Sequence, residues 1–110
     1  MERVVGSLSQ IPPGEGRVFQ LGGVCLAVFH TRDGGVFATE PRCPHRGGPL
    51  ADGLTDSATV VCPLHDRVFD LRTGAGIGNA EAIRVFPTRL AADGTILVVT
   101  EPAAREMAAT

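Results

Sequence analysis

Short apolar runs separated by glycine and proline set the rhythm of this chain. RVVGSL (3–8) predicts an opening strand. QIPPGEG (10–16) predicts a turn, because two prolines remove backbone donors and the glycines free the backbone. RVFQL (17–21) and VCLAVFH (24–30) are β-rich runs on either side of Gly22-Gly23, the spacing of a two-residue hairpin. TRDGG (31–35) predicts the next turn and VFATE (36–40) the next strand. From 41 to 59 the periodicity is lost, and Pro41, Pro44, Gly47, Gly48, Pro49 and Gly53 predict an ordered, irregular loop. TVVC (59–62) and RVFDL (67–71) predict strands around a second loop, PLHD (63–66). RTGAGIGNAEA (72–82) is a glycine-rich connection. IRVFPTRL (83–90), AADG (91–94) and TILVVT (95–100) predict a closing hairpin.

The fold class that follows is all-β, an antiparallel barrel or sandwich interrupted near its middle by a loop-rich insert at about 39–80. A chain of 110 residues is the size of one domain with one modest core. We place that domain at 1–103 and a loose or marginally helical tail at 104–110. The formal charge is −2 and the pI about 5.8, so no nucleic-acid footprint is expected, and the fact that all ten basic residues are arginine reads as compositional bias. No apolar run approaches the roughly 20 residues that cross a bilayer, and no signal-like segment opens the chain. The expectation is a cytoplasmic protein without a membrane partner. Three cysteines cannot all pair, which points away from a disulfide framework and toward metal or redox use.

The candidate chemistry lies in RCPHRGGPL (42–50) and VCPLHD (61–66). Cys43 and His45 stand in the first, Cys62 and His65 in the second, with sixteen residues from Arg46 to Val61 between the pairs. A proline follows each cysteine (Pro44, Pro63) and fixes a tight turn. Thiolates and imidazoles suit zinc or an iron–sulfur cluster. A mononuclear zinc site usually takes like ligands from each piece. Here each piece mixes one Cys with one His, which suits a binuclear site. A zinc-stabilised binding module is the alternative of a different class. Cys25, in an apolar strand, reads as a small buried hydrophobe, and His30 as a surface polar residue.

CPH and CPLH, in this spacing, resemble the Rieske 2Fe–2S signature, and the resemblance extends over residues 3 to about 100. It implies an antiparallel β fold with a two-loop cluster-binding subdomain. It also implies that Cys43 and Cys62 hold the buried iron and His45 and His65 the outer one. The 2Fe–2S cluster would then be the cofactor and all four residues its ligands. Two histidines in place of thiolates lift such clusters into a window of about −150 to +300 mV. High-potential relatives carry an extra cysteine in each loop, and a Ser and a Tyr after the second histidine. This chain has Gly48 and Leu64 at the first two positions and Arg67 and Phe69 at the others, and it has no Tyr. A midpoint near the low end, about −150 to −100 mV, is the expectation.

Three features depart from the family pattern or extend it. Asp66 replaces the usual glycine; a carboxylate there would favour the oxidised cluster, although a solvated turn residue is the plainer reading. Asn79 or Ala80 stands where many relatives have a covering proline. Arg42, Arg46, Arg67 and Arg72 flank the ligands as a candidate rim for an acidic partner, or simply as solvated charges. With both irons fully ligated, no open position remains for a substrate, so the chain is expected to carry electrons and catalyse nothing alone. CPHRGGPLADG with FDLRTG resembles the small subunit of assimilatory NAD(P)H nitrite reductase in its cluster-retaining form, partnered by a flavin and sirohaem large subunit. The alternative is the ferredoxin of a ring-hydroxylating oxygenase system, passing electrons from a flavin reductase to the terminal oxygenase.

Overall fold

The computed structural model describes residues 2–42, 49–63, 67–78 and 81–99. The tail assigned to 104–110 lies outside them. The strands are β1 (Glu2–Ser7), β2 (Glu15–Leu21), β3 (Val24–His30), β4 (Val36–Thr39), β5 (Leu54–Asp56), β6 (Thr59–Val61), β7 (Val68–Asp70), β8 (Gly76–Ile77), β9 (Val85–Phe86), β10 (Thr88–Leu90) and β11 (Thr95–Val99). They form three antiparallel sheets, ordered β1-β11-β10, β2-β3-β4-β9 and β5-β6-β7-β8. The all-β expectation holds. The hairpin at Gly22-Gly23 forms as the spacing predicts, with Leu21 opposite Val24.

Strand β3 explains why VCLAVFH is apolar throughout. Side chains alternate across a strand. Leu26 and Val28 enter one core with Ile11, Ala38, Ile96 and Val98. Ala27 and Phe29 enter a second core with Leu50, Val60, Cys62, Phe69, Leu71 and Ile83. A strand buried on both faces needs no polar alternation. It also couples the two cores: displacing β3 disturbs both.

The structure differs from the sequence expectation in four places. The closing run 83–90 is not one strand. Pro87 cannot donate to a ladder, and the chain changes sheets there: β9 pairs with β4, and β10 pairs with β11. The irregular loop 41–59 contains a 3-10 turn (Leu50–Asp52) and strand β5. The glycine-rich connection 72–82 contains β8, paired with β7. Finally, Cys25 is half-buried rather than core, while His30 is half-buried and its Nδ1 lies 2.7 Å from the Ile11 carbonyl. Strands β5 and β8 lack the β-rich runs that marked the equally short β6 and β7.

A bidentate ion pair ties the ends of the first sheet. Arg89 Nε and Nη2 each donate to Glu2 at 2.8 Å. These hydrogen bonds hold the Glu2 carboxyl below its ordinary pKa.

Candidate metal centre

Three connections leave the second core, and backbone hydrogen bonds close each at its base. The first, 43–48, is closed by the Arg42–Pro49 bridge and by the Leu50 amide donating to the Pro41 carbonyl at 3.0 Å. The 3-10 turn then buries Leu50 and Ala51. The second, 63–66, is closed by the Cys62 amide donating to the Arg67 carbonyl at 2.7 Å. This continues the β6–β7 ladder, in which Val61 faces Val68. The third, 76–81, is closed by the Ala75–Ala82 bridge and by the Ile83 amide donating to the Gly74 carbonyl at 2.8 Å. Gly74 has φ +85°, and a Cβ there would stand 2.0 Å from the Ile83 carbonyl oxygen. Glycine is required at that position.

The residues beside these bases pack together. Leu50, Cys62 and Ile83 belong to one core, with Phe69 and Leu71. Below them the chain enters and leaves the region along paired backbone. Thr39 faces Val85, the Glu40 amide donates to the Arg84 carbonyl at 2.9 Å, and the Arg84 amide donates to Glu40 Oε2 at 2.7 Å. The bases of all three connections are thereby fixed relative to one another.

Of the four expected ligands, Cys62 is described, and it is 1% exposed with a free thiol. Cys43, His45 and His65 lie outside the described residues, as do Gly48, Leu64, Asp66, Asn79 and Ala80. Among the described residues no three His, Cys, Asp or Glu side chains gather as a metal site. What the structure brings together is the set of stems. The chain segments bearing Cys43 and His45, and Cys62 and His65, both spring from the core that buries Cys62. A buried, unbridged thiol at the mouth of a closed loop fits a sulfur ligand to iron screened from water.

Phe69 packs in the same core and is fully buried. It offers no hydroxyl to a sulfur. Arg67 does not sit in an open docking rim. Its Nη1 lies 3.1 Å from Glu81 Oε1, and both side chains are 31% exposed. Its Nε is buried and has no hydrogen-bond partner among the described residues. Arg42 and Arg72 are exposed. Sequence reasoning missed Glu81 and Glu40. The available signals were modest: Glu81 is the only carboxylate between residues 72 and 82, and Glu40 directly precedes the first proline of the insert.

The Rieske [2Fe-2S] domain family matches residues 2–89. The chain belongs to that family. Its cofactor is a Rieske-type 2Fe–2S cluster, and it is an electron carrier of the ferredoxin type rather than a zinc-stabilised module. Over 76 residues it is 38% identical to the 3-phenylpropionate/cinnamic acid dioxygenase ferredoxin subunit of Photorhabdus laumondii, covering 66% of this chain and 70% of that one. Over 96 residues it is 32% identical to the anthranilate 1,2-dioxygenase ferredoxin subunit of Burkholderia cepacia, covering 86% and 87%. Among solved structures, a protein assigned as the NADH-dependent nitrite reductase small subunit of Mycobacterium tuberculosis superposes with a TM-score of 0.80 at 25% identity, covering 89% of this chain and 93% of that one. No helix of the described residues is long and apolar enough to cross a membrane.

Proposed function

We propose that this chain is the ferredoxin component of a multicomponent oxygenase, taking single electrons from a flavin reductase and delivering them to the terminal oxygenase. The observation that carries this reading is its identity with dioxygenase ferredoxin subunits, 38% and 32% over most of both chains. Cys43, His45, Cys62 and His65 hold the cluster, within one domain at 1–103 whose cluster-binding part spans about 39–80. When bound, the cluster takes up and returns one electron.

The chain's own residues do the rest. The closed bases fix where the two ligand-bearing connections begin and end. The core around Cys62 excludes water on the inner side. Phe69, in place of a hydroxyl-bearing residue, withholds a sulfur hydrogen bond, which favours a midpoint at the low end of the Rieske window.

A second reading has its own support. CPHRGGPLADG resembles the nitrite reductase small subunit, and a protein so assigned shares the fold at 25% identity. Deleting the gene in its host separates the two. The oxygenase reading expects unimpaired growth on nitrite as sole nitrogen source, together with loss of aromatic-ring hydroxylation in extracts that purified chain restores. Loss of growth on nitrite, with hydroxylation intact, would replace it with the second reading.

A further inference from the structure

Arg67 and Glu81 come from different connections. Arg67 is the first residue after the 63–66 loop, and its carbonyl accepts the hydrogen bond that closes that loop. Glu81 ends the third connection, immediately before the Ala82 bridge. Their side chains meet at 3.1 Å and are about two-thirds buried. Ordinary surface pairs are exposed and contribute little. A pair withdrawn this far from water is screened less, and removing one partner takes away its share of the other's charge compensation. Arg67 is also two residues from His65 in sequence, and its buried Nε–H meets no protein acceptor among the described residues.

We propose that Arg67 and Glu81 are positioning residues that form a charge clasp. The clasp ties the third connection to the base of the second ligand loop, and Glu81 offsets the positive charge that Arg67 places beside the cluster. This rests on the Rieske reading of the chain. A cluster gains negative charge on reduction, so a nearby cation favours the reduced form and a nearby carboxylate the oxidised form. The two partners therefore shift the midpoint in opposite senses while acting together on loop closure.

The test uses the full-length holoprotein with two readouts, the midpoint by potentiometric titration and the rate of bleaching by an iron chelator. Arg67→Gln is expected to lower the midpoint and Glu81→Gln to raise it, with the double variant returning toward wild type. Each single variant is expected to bleach about threefold to tenfold faster, and the double variant no faster than the worse single one, as for coupled neighbours. Arg67→Lys keeps the charge and is expected to hold the midpoint while still bleaching faster. If both single variants bleach faster but neither midpoint moves, the contact is merely structural and the clasp is overturned. Midpoints shifting in the same direction overturn it equally. Should Arg67→Gln fail to fold, Glu81→Gln and Arg67→Lys decide instead: a raised midpoint in the first with an unchanged one in the second supports the clasp, and an unchanged midpoint in the first overturns it. A colourless wild-type protein sinks the Rieske reading itself, a result distinct from any of these.

Discussion

The β2–β3 hairpin and the β5–β8 sheet are held by different means. The hairpin pairs seven residues with seven, through an unbroken register from Glu15–His30 to Leu21–Val24. The small sheet has strands of two and three residues. Such short ladders are marginal alone, so their order comes from the core they share with Phe29 and from the closures at the loop bases. The long strands provide a stable platform. The short ones place Cys62 and the bases of the connections that carry the expected ligands. The comparison teaches that stability and function lie in separable parts joined through β3, which serves both cores.

The sharpest way to break the comparison is at the cluster. Cys62→Ser should abolish the visible absorption of the cluster while leaving most of the β-sheet circular dichroism. Loss of both signals together would mean that the platform depends on the cluster. Next in size is Phe69→Ala. Emptying a fully buried aromatic position should cost about 3–5 kcal/mol in denaturant unfolding. Cluster loss should precede unfolding of the platform, whereas a single coincident transition would show the two regions to be one cooperative unit.

Two glycines provide a smaller contrast. Gly74→Ala places a methyl 2.0 Å from the Ile83 carbonyl in left-handed backbone, and should destabilise by about 1–3 kcal/mol or more and loosen the third connection. Gly23→Ala, in the platform hairpin, meets nothing within 4 Å and should stay within about 1 kcal/mol of wild type. Thermal melts of the two variants measure the difference.

What was legible in the sequence divides along the same line. The hairpin, the β4 strand and the apolar run of β3 follow from β-rich runs bounded by turn residues. The family follows from the spacing of the two boxes, while Cys43, His45 and His65, which that spacing proposes as ligands beside Cys62, lie outside the described residues. Strands β5 and β8 were not legible, because three residues such as Leu54–Asp56 show no period and gain their pairing only from β6. The switch of sheets at Pro87 was signalled by the proline, but its consequence depends on β4 pairing the strand before it and β11 the strand after it. Nor does spacing reveal Glu81 or Glu40, since each acts on a partner brought close only by the fold.

The smallest expected effect is electrostatic and confined to the platform. Arg89 holds the Glu2 carboxyl below its ordinary value. A depressed carboxyl contributes stability above its unfolded pKa and loses it as pH falls through the folded value. Glu2→Gln should therefore lower the melting temperature slightly at neutral pH and flatten its decline below about pH 4.3. An unchanged acid limb would show the pair to be without consequence for stability.

The most direct test of the chain as a low-potential, one-electron Rieske carrier is a redox titration of the purified holoprotein followed by its visible spectrum. A single one-electron transition at about −150 to −100 mV is the expected result. A clearly positive midpoint would contradict the low-potential reading, and a colourless protein with no transition would contradict the carrier itself.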